Sequence, residues 1–221
     1  MSRVLGILGG MGPAATVAFL ARVQALTPAE GDADHIRIVM DLNPQVPDRN
    51  TRAGEAEAEL AAMAVRLKAA GAEVLAMPCN TAHAQKAGIE AAGLPFIDMI
   101  AATVAAVRAT GARRIGVLAT PGGEALYRDM LVAAGLEPVV LPGEARERFM
   151  NCVYAVKRGD TGPETRASIR GLGEELIAAG ATAVIAGCTE VPLLLKAADL
   201  TVPLVDSAEV LASACVLACR A

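Results

Sequence analysis

The sequence predicts an α/β protein made of two pseudo-symmetric Rossmann-like domains, each a mainly parallel sheet flanked by helices. Short apolar runs alternate with longer helix-like segments along the whole chain, as βα units require. Two pairs of similar segments also recur at an offset of about 110 residues: 6–12 with 116–122, and 69–81 with 178–190. Two similar offsets indicate an internal duplication, which puts one cysteine, Cys79 or Cys188, in each half.

Each predicted element rests on a local pattern. A strand is predicted where a short apolar run lies between turn residues, and a helix where apolar residues recur at about 3.6-residue spacing. Pro13 marks a helix start, and Gly71 and Gly180 mark helix ends. The predicted strands span 4–8, 36–41, 74–77, 96–97, 114–119, 138–141 and 183–186. The predicted helices span 13–26, 53–70, 81–92, 100–110, 124–134, 146–157, 163–179 and 207–220.

The domain prediction follows from the duplication and from the C-terminal tail. Residues 207–220 are apolar at helical spacing, and we expect them to pack on the first half. The N-terminal domain is therefore predicted to comprise 1–98 plus 207–221, and the C-terminal domain 99–206. No low-complexity linker separates the halves, so a ligand is expected in the cleft between them, beyond the carboxyl ends of the strands.

Composition excludes several functions. The net charge is −4 and no Lys/Arg run occurs, so a nucleic-acid partner is not expected. No apolar stretch approaches the roughly 20 residues of a membrane span, and the N-terminal apolar run is too short for a signal peptide. The five cysteines are too scattered for a disulfide framework. We therefore expect a cytoplasmic protein with reduced thiols.

The five cysteines fall into two groups. Cys152, Cys215 and Cys219 are expected in the core, where free cysteine behaves as a small apolar residue. Cys79 and Cys188 each follow a predicted strand and precede a predicted helix start. A helix start favours anions, so these two thiols are candidates for reactive thiolates.

Two such thiols suggest a specific chemistry. One thiolate could remove a proton from a carbon acid, and the opposite thiol could return a proton to the other face, which inverts the stereocentre without a cofactor. Only one sulfur should be ionised at rest, because two thiolates across a narrow cleft would repel each other. The backbone N–H groups of Asn80, Thr81, Thr189 and Glu190 could hold the carboxylate on which charge develops.

Four motifs along the chain resemble the aspartate/glutamate racemase family, most closely its aspartate racemase branch. They are GGMGPAAT at 9–16, NPQVPDR at 43–49, PCNTAH at 78–83 and GCTE at 187–190. The resemblance implies two α/β domains related by a pseudo-twofold axis, no pyridoxal phosphate, two cysteines acting as the bases, and a homodimer. Both family cysteines are present, which favours a true racemase over relatives that keep only one.

The resemblance also suggests residues that bind the substrate. Arg49 resembles the family's reader of the side-chain carboxylate, which a guanidinium can clamp with two parallel hydrogen bonds. Lys157 matches a Lys-x-Gly pattern and would add a second cation, and Met11 lies in the first motif. Without the resemblance, Arg49 would be a solvated surface arginine and Lys157 an exposed residue near a helix end.

Several polar residues have two interpretations. Glu190 could orient or discharge Cys188, and Asp48 could do so for Cys79, but each could instead cap a helix or bind Arg49. Thr120 could reach the cleft or serve as an N-cap. His83 lies one helical turn after Cys79, but two ligands do not make a zinc site, and no metal is expected.

Three rival functions remain. The segment 10–15 imitates a G-x-G-x-x-A dinucleotide turn with Asp41 as the ribose-binding acid, but this leaves the duplicated cysteines unexplained. A cysteine-dependent isomerase or decarboxylase of a dicarboxylic acid, or a non-catalytic two-lobed amino-acid-binding protein, would use the same cleft. The favoured hypothesis is a cofactor-independent racemase that converts L-aspartate to D-aspartate, with glutamate as a second candidate substrate.

Overall fold

The computed structural model describes residues 2–49 and 51–220, in which the chain forms two compact α/β units. The first unit runs to Met99 and includes the chain from Ala208 onward, and the second is Ile100–Ser207. The elements in chain order are β1 (Leu5–Gly9), α1 (Pro13–Leu26), β2 (Ile38–Leu42), α2 (Ala53–Ala69), β3 (Val74–Ala76), α3 (Lys86–Glu90), β4 (Phe96–Ile97), α4 (Met99–Ala109), β5 (Arg114–Leu118), α5 (Pro121–Ala133), β6 (Glu137–Val140), α6 (Gly143–Lys157), α7 (Pro163–Ala178), β7 (Ala183–Ala186), α8 (Val191–Leu194), β8 (Leu204–Asp206) and α9 (Ser207–Arg220). Short 3-10 segments occur at Asp32–Asp34, Thr81–Gln85 and Ala197–Asp199.

Each unit contains one four-stranded parallel sheet, and the two sheets have the same strand order. In the first, the order is β2-β1-β3-β4, and Leu5 lies opposite Ile38 and Val74. In the second, the order is β6-β5-β7-β8, and Ile115 lies opposite Pro138 and Ala183. The matching order confirms the predicted pair of α/β units. It also makes β3 and β7 equivalent strands, so Cys79 and Cys188 follow equivalent strands.

Helices cover both faces of the first sheet. Leu5 and Ile7 point to the face packed by α1 and α9, where Phe19 and Leu211 are fully buried. Leu8 packs among side chains of α2 on the opposite face. The two faces are separated because neighbouring side chains on a strand point in opposite directions. Each fully buried large side chain contributes about 1.5–3 kcal/mol, so this sheet rigidly supports the loops at its carboxyl edge.

The second sheet is covered in the same way. Ile115 and Val117 face α4 and α5, where Tyr127 is fully buried. Leu118 lies in the cluster formed with α6 and α7, whose largest member is Phe149. Aliphatic side chains form most of both cores, since aromatic residues make up only 2% of the sequence.

The structure corrects several predicted elements. Helices α5 and α6 begin at Pro121 and Gly143, three residues earlier than predicted, and β8 was not predicted. The predicted helix 81–92 is wrong: it is a 3-10 segment followed by the short helix α3. The ring of His83 binds the Cys79 carbonyl oxygen, which an α-helix would have used for the His83 N–H. That N–H donates to the Asn80 oxygen instead, which gives the tighter 3-10 geometry.

Gly10 is required by the loop after β1. Its φ is +98°, and a Cβ there would lie 2.4 Å from the carbonyl carbon of Asn43. We expect Gly10→Ala to lower the free energy of unfolding by about 1–3 kcal/mol more than Gly71→Ala, because it adds a backbone clash to the cost of positive φ. Gly71 is the matched control, since its φ is +94° and nothing lies within 4 Å of its Cβ position. Urea unfolding of both variants measures the difference, and equal losses would contradict the expected clash.

None of the helices in residues 2–49 and 51–220 is long and apolar enough to cross a membrane.

Candidate active site

Cys79 lies directly beyond the carboxyl end of β3 in the first unit. Its N–H donates to the Met77 oxygen at 2.8 Å, and the residue is only 5% exposed. It belongs to one apolar cluster with Met11 and Val46, so the structure brings together residues from the first three sequence motifs. A thiol in this setting is shielded from water on most sides.

Arg49 lies in the loop after β2, next to this cluster. Its Nη1 donates to the backbone oxygens of Val46 at 3.3 Å and Pro47 at 3.2 Å. Its Nε is buried and has no hydrogen-bond partner. A buried guanidinium N–H without an acceptor is costly, and a carboxylate ligand would satisfy it. Arg49 is therefore better placed to bind an anion than an ordinary surface arginine.

The remaining predicted residues of the first unit have different surroundings. Asn80 and Thr81 are buried beside Cys79 at the start of the 3-10 segment. Asp48 is exposed, and its Oδ1 accepts hydrogen bonds from the N–H of Thr51 at 3.0 Å and its Oγ1 at 3.2 Å. These two bonds join Asp48 to Thr51, a contact that the sequence did not suggest.

Cys188 lies beyond the carboxyl end of β7 in the second unit and is 7% exposed. Its Sγ donates to Oε2 of Glu190 at 2.9 Å, and Glu190 is itself 4% exposed. Thr189 Oγ1 donates to the same oxygen at 3.4 Å. Glu190 occupies the N-cap position of α8 but makes no capping bond with its side chain. Its carboxylate is therefore directed to the thiol rather than to the helix.

The backbone before Cys188 is held from two sides. The Gly187 N–H donates to the Leu118 oxygen at 2.9 Å, and Ser207 Oγ donates to the Ala186 oxygen at 2.7 Å. A Cβ on Gly187 would lie 2.7 Å from the ring of the buried Tyr127. Close packing thus fixes the strand end from which Cys188 projects.

Both cysteines are followed by short helical segments. Cys79 precedes a five-residue 3-10 segment, and Cys188 precedes the four-residue helix α8. Because the helix dipole is a sum over aligned peptide units, such short segments stabilise a thiolate much less than a full helix does. The immediate backbone and the side chains must therefore supply most of the local electrostatics.

Thr120 and Lys157 occupy the ends of helices. Thr120 is the N-cap of α5, and its Oγ1 accepts from the Gly123 N–H at 3.5 Å, which is the capping role among its two interpretations. Lys157 is exposed in the last turn of α6, with Nζ 6.0 Å from the centre of the Tyr154 ring. Helices α6 and α7 form an antiparallel hairpin, and Arg166 of α7 donates to the Leu194 oxygen in α8. The end of the hairpin that carries Lys157 therefore lies at the same edge of the second sheet as Cys188, the edge where the strands end.

Sequence reasoning missed an ion pair at this edge of the second sheet. Nη2 of Arg146 donates to both carboxylate oxygens of Glu124, at 2.9 and 3.1 Å. Glu124 is 6% exposed, and Nε of Arg146 is buried without a hydrogen-bond partner. An acidic residue in the first turn of a helix after a strand was the only signal in the sequence. The partner lies 22 residues away, on another helix.

The other three cysteines, Cys152, Cys215 and Cys219, are buried in the hydrophobic cores. Cys152 Sγ donates to Ser168 Oγ at 3.2 Å between α6 and α7. Burial raises the pKa of Cys215 and of Cys219, which keeps both protonated in the first core. These positions confirm the predicted core cysteines. All five cysteines lie within the described residues, and none forms a disulfide.

The loop after β1 fits the dinucleotide-binding interpretation poorly. The backbone of Asn43 packs against Gly10, where a pyrophosphate would need close access. Asp41, the candidate ribose ligand, is bound by Arg66, with Nη2 at 2.8 Å from Oδ2. Both Gly10 and Asp41, the two features of the motif, therefore serve the fold.

No group of three or more metal-ligating side chains occurs among the residues that the structure describes.

Comparison with known proteins defines the class. Residues 8–215 match the family model described as Asp/Glu/Hydantoin racemase, so the chain belongs to this family, which confirms the resemblance seen in the motifs.

Individual relatives cover nearly the whole chain. It is 28% identical to the broad specificity amino-acid racemase RacX of Bacillus subtilis, over 96% of each protein. The solved structure of Picrophilus torridus aspartate racemase is similar with a TM-score of 0.84 at 27% identity, over 99% of this chain and 94% of that one. Glutamate racemase of Francisella tularensis shares the fold, with a TM-score of 0.72 at 20% identity, over 96% of this chain and 79% of that one. Family and relatives together support an amino-acid racemase.

Proposed function

We propose that the chain racemises aspartate without pyridoxal phosphate, by a two-base mechanism in which Cys79 and Cys188 are the two thiols. The observation that carries the proposal is their equivalence: each follows the third strand of its unit in chain order, in identically ordered sheets, and each lies in an apolar cluster. A stereocentre has two faces, and a duplicated thiol matches that requirement.

The contact with Glu190 gives the two cysteines different protonation states before the substrate reacts. A carboxylate that accepts a hydrogen bond from Cys188 Sγ favours the protonated thiol there. Cys79 is then the thiolate that takes the α-proton, while the C–H electron pair passes to the α-carbon and its carboxylate. The Cys188 S–H proton is delivered to the opposite face, which leaves a Cys188 thiolate and a Cys79 thiol. The free enzyme returns to its first state when Cys79 loses its proton to water and Cys188 gains one, so atoms and charge balance over a full turnover.

The substrate carboxylates have separate binding partners in this proposal. The backbone N–H groups beside Asn80 and Thr81 hold the α-carboxylate, and Arg49 binds the side-chain carboxylate. The buried, unpartnered Nε of Arg49 supports an acidic side chain over a neutral one. Thr189 would assist at the second thiol, and Lys157 at the hairpin tip would add positive charge.

We also propose a homodimer, for which light scattering in solution is the test.

We expect Glu190→Gln to lower kcat/KM for aspartate by about 10–100-fold, since a charge-assisted hydrogen bond contributes about 1.5–3 kcal/mol. Because the two enantiomers have equal free energies, kcat/KM must fall equally in both directions. Steady-state kinetics from L- and D-aspartate measure both values. Glu175→Gln is the control, since Glu175 is a surface residue paired with Arg148. Unchanged kinetics in Glu190→Gln would contradict the proposed role of the carboxylate.

The substrate is tested by incubation with L-aspartate, L-glutamate and L-alanine without added cofactor, followed by chiral chromatography. We expect D-aspartate to form fastest. Comparable formation of D-alanine would instead assign a broad substrate range, like that named for the Bacillus subtilis relative. If no D-amino acid forms but calorimetry shows aspartate binding, the protein is a binding protein and the proposal is wrong.

A further inference from the structure

His83 forms a buried bridge between Cys79 and the start of α4. Its Nε2 lies 3.0 Å from the Met99 nitrogen and must accept a hydrogen bond from that N–H. The ring proton therefore sits on Nδ1, which donates to the Cys79 carbonyl oxygen at 2.8 Å. Both ring nitrogens are thus satisfied by backbone groups, and no ring position remains for a metal or a substrate.

The surroundings keep this ring neutral and fixed. His83 is 3% exposed, and its ring lies 5.3 Å from the Phe96 ring, centre to centre. Burial lowers the pKa of His83, because the charged imidazolium would lose its hydration. Asp98 and Lys86 are the charged groups that act on the ring, and they pair with each other at 2.7 Å. The imidazole therefore keeps one tautomer across the neutral pH range.

The bond to Cys79 determines which way the next backbone N–H points. The Cys79–Asn80 peptide is trans, so its carbonyl oxygen and its N–H point in opposite directions. With the oxygen held by His83, the Asn80 N–H is directed away from the ring. If the peptide were rotated, its carbonyl oxygen would take the place of that donor and repel an anion. The ring also draws the Cys79 oxygen out of helical bonding, which produces the 3-10 segment at this point.

We propose that His83 is a positioning residue, which holds the Cys79–Asn80 peptide so that its N–H faces the substrate carboxylate and Cys79 keeps its reactive orientation. This inference rests on the proposed function for its catalytic consequence, but the contact between His83 and Cys79 can be tested without turnover. The residue acts only through the backbone and does not exchange protons with the substrate.

Two variants separate the two bonds of the ring. His83→Asn keeps an amide N–H near Nδ1, so the bond to the Cys79 oxygen can survive. His83→Gln places its carboxamide near Nε2, so the bond to Met99 can survive while the bond to Cys79 is lost. We expect kcat/KM for aspartate to fall about 10²-fold in His83→Gln, as for a misplaced reactive group, and by less than about fivefold in His83→Asn.

Thiol alkylation supplies the readout that does not depend on turnover. Trypsin yields residues 69–86 with Cys79 alone and residues 171–196 with Cys188 alone, so mass spectrometry measures both iodoacetamide rates in one sample. In His83→Gln the Cys79 rate should change relative to the Cys188 rate by more than about threefold, because Cys188 does not depend on this peptide. In His83→Asn the ratio should match the original protein.

The outcomes distinguish this proposal from the proposed function. Equal kinetics and equal alkylation ratios in the two variants would overturn the positioning role. A rise of both alkylation rates together, with a lowered urea midpoint, would mean that His83 only stabilises the fold, which also overturns it. If the original protein does not racemise aspartate, the proposed function fails. The alkylation ratio then still decides whether His83 controls Cys79.

Discussion

Replacing either Cys79 or Cys188 with alanine is expected to lower kcat for aspartate racemisation by at least about 10³-fold, because each variant lacks one of the two proton-transfer groups. The effect should be the same from L- and D-aspartate, since racemisation needs both faces in either direction. Steady-state assays of each enantiomer measure it. A variant that keeps more than a tenth of the original rate would contradict the two-thiol mechanism.

The same variants assign a face to each cysteine. A single remaining thiol can still remove and return the α-proton on its own side. Each variant should therefore exchange the α-proton of one enantiomer with solvent, without inversion. Cys152→Ala is the matched control, because Cys152 is equally buried but contacts Ser168 between α6 and α7. It should keep near-normal activity and exchange.

Removal of the Arg49 guanidinium is expected to impair the reaction with aspartate strongly and selectively. Arg49→Ala should lower kcat/KM for aspartate by about 10–100-fold, as expected for the loss of a charged hydrogen-bonded pair, and leave the low rate with alanine as substrate nearly unchanged. Arg49→Lys should recover only part of the loss, because an ammonium group cannot reproduce the planar two-pronged contact.

Arg52→Ala is the control for the loop. Arg52 lies three residues further on, is exposed, and forms an ion pair with Glu55. It should change kcat/KM for either substrate by less than about twofold, since exposed ion pairs contribute little. Equal losses for aspartate and alanine in Arg49→Ala would mean that Arg49 supports the loop rather than reads the carboxylate.

Much of the fold was predictable because its signals are local. The run Val74–Ala76 and the run Ala183–Ala186 are short, apolar and preceded by a glycine helix end, so both strands were found close to their observed limits. The duplication placed a cysteine after each of them. The three-residue strand β8 has too few residues to show a period and becomes a strand only through its pairing with β7.

The site was less predictable, because its side chains meet through the fold. The pairing of Glu190 with Cys188 spans two residues, and the sequence suggested it as one of two alternatives. The pairing of Arg146 with Glu124 joins two helices, and no signal in the sequence indicated the arginine partner. The helix predicted for 81–92 was wrong because the spacing of apolar residues does not reveal that the His83 ring forms a hydrogen bond with the Cys79 carbonyl oxygen. A side chain that competes for backbone bonds overrides local propensity.

The most direct test of the two-thiol mechanism is the early time course of L-aspartate in D₂O with the purified protein and no added cofactor. Proton NMR follows the α-proton, and chiral chromatography with mass spectrometry reports deuterium in each enantiomer. With a separate thiol on each face, the first D-aspartate formed should carry deuterium at Cα, while the remaining L-aspartate keeps its proton. Deuterium appearing equally in both enantiomers from the start would mean that one base serves both faces, and would contradict the mechanism.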